Sequence, residues 1–262
     1  MTAIDELAET LFAAERACTA IDPPTKIISG LSIVDAYAVQ LAGLQLRLAD
    51  GATVVGHKLG LTSEAMQQML GVDQPDFGYL TADMISSSGA TLSASRFIQP
   101  RVEAEIAFRL RDSLRGTNLD IHSVLAATDA IAPAIEVIDS RVTDWKISIA
   151  DTIADNASSA HVFMGKWMSP DDIDLAALRA ELVVVSSTGL EERAVGLGSA
   201  VLGHPATAVA WLARALHEYG GGGIDEGEIV MTGAMARALP VDSGSGVRAT
   251  VESLGDVSGR FV

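Results

Sequence analysis

The run Pro100-Arg-Val-Glu-Ala-Glu-Ile-Ala-Phe108 constrains this chain more than any other stretch. Val102, Ala104, Ile106, Phe108 and Leu110 fall on one parity, the period of a half-buried strand. Glu103 and Glu105 therefore share the opposite face, with about 7 Å between their Cα atoms. Two carboxylates that close repel unless a cation or a shared proton compensates them. A third acid, Glu136, interrupts a second apolar run, Ala132-Pro-Ala-Ile-Glu-Val-Ile138, where a lone charge is costly. Three such oxygen donors suit a hard divalent cation that keeps positions open for water or substrate. Acids on an amphipathic strand also occur simply solvated, so the pattern alone leaves both readings open.

Around these strands the chain changes texture once. Ile4, Leu7, Ala8, Leu11 and Ala14 recur at helical spacing after Thr2, an N-cap with Asp5 three residues on. Pro23-Pro24 interrupts any continuation. Ser32 and Asp35 repeat the capping pattern before Tyr37, Leu41, Leu44 and Leu48, and Gly51 closes that helix. From Val54 onward short strands and glycine turns dominate: Val54–Gly60, Val102–Leu110, Ala134–Ile138, Leu182–Val185, Ile229–Thr232 and Val247–Val251. Thr62 or Ser63 caps a short helix ending near Gly71. Pro205 opens another helix, through Leu216, that Gly220 to Gly223 stop. Helices first and then many strands predict an α+β fold, with a helical segment over 1–53 and a mixed-β unit over 54–262.

Composition narrows the function classes. Apolar residues make up 48 % of 262, enough for a well-buried core. Acids outnumber bases 34 to 18, a net charge of −16 that repels nucleic acid and anionic lipid. No apolar run reaches the length of a membrane span. Cys18 is the only cysteine, which excludes an intrachain disulfide and a cysteine metal cluster. The acidic N-terminus lacks the basic region of a signal peptide, and a cytoplasmic location is expected.

Six ordered blocks then carry a family resemblance. They are Gly56-His-Lys-Leu-Gly-Leu-Thr-Ser63 with Ala65-Met-Gln67; Gly71-Val-Asp-Gln-Pro-Asp-Phe-Gly78; Pro100-Arg-Val-Glu-Ala-Glu105; Pro133-Ala-Ile-Glu-Val-Ile-Asp-Ser-Arg141; Asp151-Thr-Ile-Ala-Asp-Asn-Ala-Ser-Ser159; and Leu202-Gly-His-Pro205. From about Asp35 to Val262 the chain resembles the 2-keto-4-pentenoate hydratase / 4-oxalocrotonate decarboxylase family of the fumarylacetoacetate hydrolase superfamily. The resemblance implies a mixed β roll surrounded by helices. It implies Mg²⁺ or Mn²⁺ on Glu103, Glu105 and Glu136, and a small anionic 2-hydroxy-dienoate as substrate. A homo-oligomer working beside a pathway aldolase is also implied. The expected reaction is hydration of 2-hydroxypenta-2,4-dienoate or a close homologue, a step in meta-cleavage catabolism of aromatic or steroid rings. Decarboxylation of 4-oxalocrotonate on the same site is the alternative, and a non-catalytic partner of a pathway enzyme the more distant one.

Individual residues read two ways. Lys58 shares its strand face with Gly56 and Gly60, which suits a close ligand but also an edge lysine reaching water. By resemblance it lines the active site. Asp76, between Pro75 and Gly78, reads as turn chemistry. By resemblance it is an acid for proton transfer, where decarboxylases tend to carry an apolar residue. Asp151, Asp155, Asn156 and Ser158 form a polar cluster that local backbone groups can absorb. The resemblance makes it a pocket wall, with Asn156 and Ser158 on the substrate. Arg141 reads as a structural ion pair before a pocket cation, His57 as packed, and His204 as structural at a helix start. Gly196-Leu-Gly198 lacks the third glycine of a dinucleotide fingerprint.

Overall fold

The computed structural model describes residues 2–219 and 222–262. Helix α1 (Ala3–Ala17) starts at the Thr2–Asp5 capping box, α2 (Pro24–Ile27) is one turn, and α3 (Ile33–Ala49) starts at the Ser32–Asp35 capping box. Strand β1 (Val54–Gly60) and helix α4 (Glu64–Leu70) follow, the latter capped by Ser63 and closed by left-handed Gly71. Next come β2 (Asp76–Thr81), β3 (Ile85–Ser87), β4 (Thr91–Leu92) and β5 (Arg101–Leu110). Helix α5 (Ile121–Ala126), β6 (Thr128–Ile138), α6 (Ile149–Ala154), β7 (Ser159–Met164), β8 (Arg179–Val185) and β9 (Glu191–Leu197) lead to α7 (Pro205–Glu218). The chain ends in β10 (Ile229–Met231), β11 (Leu239–Pro240), β12 (Gly246–Val251) and β13 (Gly255–Phe261).

These strands form two sheets. The larger has eight strands in the order β2-β1-β10-β5-β6-β7-β3, with β11 also paired to β5. The smaller runs β4-β13-β12-β8-β9. β1 pairs β10, β3 pairs β7 and β4 pairs β13 in parallel, while the other ladders are antiparallel. The architecture is α+β, as expected. Val102, Ala104, Ile106 and Phe108 of β5 join one core with Leu182, Val184, Val247, Ala249, Val257 and Phe261 of the second sheet. Phe163 and Phe261 meet edge-on there, with centroids 6.0 Å apart. Leu7, Leu11, Tyr37 and Val39 of the N-terminal helices belong to the same core.

Three expectations change. β5 is not half-buried: its second face is also enclosed, with Glu105 and Ala107 fully buried. Asp76 is no turn residue but the first residue of β2, 1 % exposed. Leu41 and Leu48 of α3 face outward at 52 % and 37 %, and Ala36, Tyr37, Val39 and Gln40 make its buried face instead. His204 caps α7 through its ring, accepting from the Ala206 N–H at 3.0 Å. The expected glycine stop falls partly on Gly220 and Gly221, outside the described residues. Among the described residues no helix is long and apolar enough to cross a membrane.

Candidate active site

The site grows from three adjacent strands of the larger sheet. In the β5–β6 ladder Glu103 lies directly opposite Glu136, and Glu105 opposite Ala134. The shared parity predicted for Glu103 and Glu105 holds, and the ladder adds Glu136 to the same face. One carboxylate oxygen from each of the three lies within 4.8 Å of the others. The Gly233 N–H donates to Glu105 Oε2 at 2.7 Å. Glu105 Oε1 and both oxygens of Glu136 are buried with no hydrogen-bond partner among the described residues. Buried carboxylates without partners are costly, so orphaned oxygens turned toward one point fit a divalent cation.

Lys58 is held in β1, between β2 and β10, with Gly78 and Met231 as its register partners. It is 2 % exposed, which removes the reading of an edge lysine in water. Its Nζ donates to the Ala157 carbonyl at 2.9 Å and lies 3.4 Å from Glu136 Oε2. The flanking glycines have separate reasons. A Cβ on Gly56 would sit 1.9 Å from the Ile229 carbonyl oxygen, and one on Gly60 would sit 2.3 Å from Asp76 Oδ1. Gly60 thus leaves space for the Asp76 carboxylate, its partner across the β1–β2 ladder. Both Asp76 oxygens are buried and unpartnered among the described residues.

Burial raises the pKa of every acid in this group. Glu103 is pushed up to about 7 by burial and then by Glu136. Glu105 rises well above the ordinary range through burial, Glu136 and Glu103. Burial also raises Glu136 and Asp76, with Lys58 opposing in both. For Lys58, burial disfavours the ammonium, but Glu136, Asp76, Glu103 and Glu105 together outweigh it and raise its pKa.

A cavity of about 360 Å³ opens onto this cluster, a size ordinary for a small-molecule site. Lys58, Asp76, Glu103, Thr152, Ala157 and Ser158 line its inner part. Ser158 Oγ is buried and unpartnered among the described residues. Asn156 is placed differently. Its Oδ1 accepts from Tyr79 N–H at 2.9 Å and its Nδ2 donates to the Tyr79 carbonyl at 3.1 Å, so its amide is engaged away from the cavity. Asn156, Ala157 and Ser158 all adopt left-handed backbone, with φ of 52°, 49° and 54°. Such residues are costly outside glycine and are found where surrounding structure dictates them. Here the turn presents the Ala157 carbonyl to Lys58. Sequence reasoning did not find Ala157, because a backbone acceptor leaves no side-chain signal. It also missed Thr152, Arg101 and Trp145 of the cavity wall. Only Arg101 carried a usable clue, its parity with Glu103.

Two of the remaining expectations are met by hydrogen bonds. Arg141 is 4 % exposed and bound to Asp155, and Asp151 accepts from the Thr25 N–H at 2.7 Å and belongs to the cap of α6. His57 lies 3.6 Å from Glu228, away from the cavity.

No family model matches the chain. Individual proteins do. The chain is 42 % identical over 261 residues to a 2-hydroxyhexa-2,4-dienoate hydratase of Comamonas testosteroni, covering 98 % of this chain and 97 % of that one. It is 44 % identical over 221 residues to a 2-hydroxypent-2,4-dienoate hydratase of Pseudomonas putida, covering 84 % and 98 %. The chain belongs to the 2-keto-4-pentenoate hydratase / 4-oxalocrotonate decarboxylase family. A solved 4-oxalocrotonate decarboxylase of Pseudomonas putida G7, complexed with magnesium and adipate, superposes with a TM-score of 0.93 at 35 % identity, over 99 % of this chain and 97 % of that one. The family fold, of the fumarylacetoacetate hydrolase type, is the one described above.

Proposed function

We propose that this chain is a metal-dependent hydro-lyase converting 2-hydroxypenta-2,4-dienoate, or a close homologue, to a 4-hydroxy-2-oxo acid in meta-cleavage catabolism. The carrying observation is the Glu103–Glu105–Glu136 triad, with orphaned oxygens on its two buried members Glu105 and Glu136, set beside Lys58 and Asp76 at the inner end of a small cavity. Its relatives at 42–44 % identity are hydratases of such dienoates. Glu103, Glu105 and Glu136 would hold the divalent cation, Mg²⁺ or Mn²⁺, which when bound supplies a Lewis acid for a chelated 2-oxo acid. The solved decarboxylase relative carries magnesium.

The chain's own groups supply the proton transfers. In ketonisation the C2 hydroxyl proton leaves and one arrives at C5, giving an α,β-unsaturated ketone. Lys58, a charged donor held by Ala157 and Glu136 in the cavity wall, is suited to stabilise negative charge developing on a substrate oxygen. Water then adds its oxygen at C4, and a proton ends on C3. Asp76, with neither oxygen hydrogen-bonded among the described residues and its pKa raised by burial, is suited to take the proton of that water. Ser158 Oγ remains available to the substrate. The amide of Asn156 serves the turn instead.

Decarboxylation is the second reading, because the solved relative is a decarboxylase. It needs no acceptor for a water proton, whereas Asp76 provides one. Purified protein with Mg²⁺ is expected to consume 2-hydroxypenta-2,4-dienoate. Fast CO₂ release from 4-oxalocrotonate with the pentadienoate untouched would establish the decarboxylase. We read residues 1–53 as a helical segment on a catalytic unit of 54–262, joined where Gln40 Nε2 donates to the Phe77 and Ile153 carbonyls. A homo-oligomer is part of the same reading, supported by Val34, Leu41 and Leu48, an exposed apolar stripe of α3. So are a cytoplasmic location, which the single cysteine suits, and a pathway aldolase that consumes the product.

A further inference from the structure

We propose that Arg101 makes this enzyme selective for substrates whose far end carries a carboxylate, over those that end in an alkyl group. The inference rests on the hydratase reading for which end of the substrate meets the metal ligands.

The cavity is polarised. Its inner part carries the buried Lys58 and Asp76 and the partly buried Glu103; its mouth carries the exposed Arg101 and Asp144. Arg101 opens β5 and is paired on both sides, to Ile138 of β6 and Pro240 of β11. It lies two residues before Glu103 on the same strand face, about 7 Å away at ordinary strand rise. A 2-oxo acid with its first carbons at Glu103 reaches Arg101 with its far end when it runs along this strand face toward the cavity mouth.

The Arg101 side chain packs on an aromatic ring and forms no ion pair among the described residues. Its guanidinium carbon stands 4.8 Å from the centre of the Trp145 ring, a cation–π contact. Trp145 is itself anchored, its Nε1 donating to the Gln99 carbonyl at 3.1 Å. Among the described residues no carboxylate forms an ion pair with Arg101. Asp144, the other charge at the mouth, is paired with Lys146 at 2.8 Å. Arg101 favours the ionised form of Glu103 on its own strand, yet no described carboxylate lies within ion-pair distance of it. Leu61, Ile138 and Ile147 add a hydrocarbon surface to the cavity wall. The arrangement matches a molecule with an anionic head, an apolar middle and an anionic end. A guanidinium fork binds such a carboxylate through two parallel hydrogen bonds.

The test compares 2-hydroxyhepta-2,4-dienedioate with 2-hydroxyhexa-2,4-dienoate, which has hydrogen in place of the terminal carboxylate. The wild type is expected to show the higher kcat/KM for the diacid. Arg101→Gln is expected to lower that value by roughly ten- to a hundredfold, through KM, as for a lost charge-assisted hydrogen bond. The monoacid should change far less, and Arg101→Lys should recover part of the diacid rate because charge returns without the fork. Equal losses on both substrates would overturn the proposal and make Arg101 a general anion guide. No loss on either would reduce it to packing on Trp145. Calorimetric binding of heptanedioate and hexanoate to the Mg²⁺-loaded protein separates this from the reaction itself. If neither dienoate is turned over but heptanedioate binding still requires Arg101, selectivity stands and the hydratase reading falls. Heptanedioate binding indifferent to Arg101 would overturn the selectivity.

Discussion

Two clusters of buried charge flank the left-handed turn at Asn156–Ser158, and they are built on opposite principles. On one side every nitrogen of the Arg141 side chain donates a hydrogen bond. Its Nε meets Asp155 Oδ1 at 2.5 Å, its backbone N–H meets Asp155 Oδ2 at 2.9 Å, and its remaining nitrogens reach the carbonyls of Asp139, Asp155 and Ser159. On the other side Glu105, Glu136 and Asp76 are equally buried, yet five of their carboxylate oxygens accept no hydrogen bond among the described residues. A buried ion pair tolerates removal from water only when its hydrogen bonds are complete. The first cluster comes close to that condition, with four of the five guanidinium N–H groups donating within the fold. The second does not meet it, and the deficit identifies where a cation and a substrate belong.

The largest expected effect tests that contrast directly. Chelator should abolish turnover and Mg²⁺ or Mn²⁺ restore it. Glu105→Gln should lose metal affinity and activity while folding stability stays within about 1 kcal/mol, because no intramolecular ion pair depends on it. Full activity in metal-free protein would remove the reason for distinguishing the clusters. Next in size, Asp76→Asn and Lys58→Ala should each slow hydration by roughly 10²-fold or more, the scale of a lost acid–base group. Lys58→Ala should also lower stability in metal-free protein, since Glu136 then has no cation beside it. Single-turnover rates and thermal melts check both variants.

Arg141→Met probes the other cluster and should destabilise the fold by about 3–5 kcal/mol, because Asp155 is left buried and unpaired. Replacing Arg141 and Asp155 together by apolar residues should recover part of that loss. Chemical denaturation of the two variants decides. Loss of activity at unchanged stability in Arg141→Met would mean that the satisfied cluster is catalytic after all.

How much of this was legible depends on whether a residue's neighbours are local. The capping boxes at Thr2 and Ser32 and the limits of β1 needed only a few adjacent residues, and the sequence pattern located them. Parity put Glu103 and Glu105 on one face, and the apolar run around Glu136 marked a costly charge. That Glu136 lies opposite Glu103 depends on strand register, which no local pattern specifies. Taken alone Asp76 reads as turn chemistry because Pro75 and Gly78 imitate a turn, while its place in β2 rests on pairing with Gly60 across the ladder, which no local pattern specifies. Strand β13 was missed: Gly255-Asp-Val-Ser-Gly-Arg-Phe261 has two glycines and three polar residues, and its stability comes from pairing with β12 and β4. Asn156 carries the right chemistry for a substrate contact, and only the fold shows its amide engaged by Tyr79.

The smallest effect concerns a third kind of buried ionisable group, one kept neutral. His161 of β7 is 2 % exposed, its Nε2 is 2.9 Å from Ser86 Oγ, and its ring meets Phe163 edge-on at 5.7 Å. Burial, with a smaller contribution from Arg96, pushes its pKa down from 6.5 to about 4. In the unfolded chain the same imidazole takes up a proton near its ordinary value, so between those limits the unfolded state binds more protons than the folded one. Stability that His161 contributes is therefore complete above about pH 6.5 and is lost as pH falls toward about 4. The acids of the open cluster act in the reverse sense. Glu103, raised from 4.5 to about 7, favours the metal-free fold at low pH, and that contribution disappears as pH rises through 7. Melting temperatures of metal-free wild type and His161→Gln, measured from pH 7.5 down to 4, separate the two slopes. The difference between the proteins should change steadily below pH 6.5, in favour of the variant as acidity increases, and stay constant above it. A difference independent of pH would show that folding leaves the His161 pKa unchanged, and one that changes only above pH 6.5 would show an imidazolium held in the fold, to be placed with the paired charges of Arg141 and Asp155.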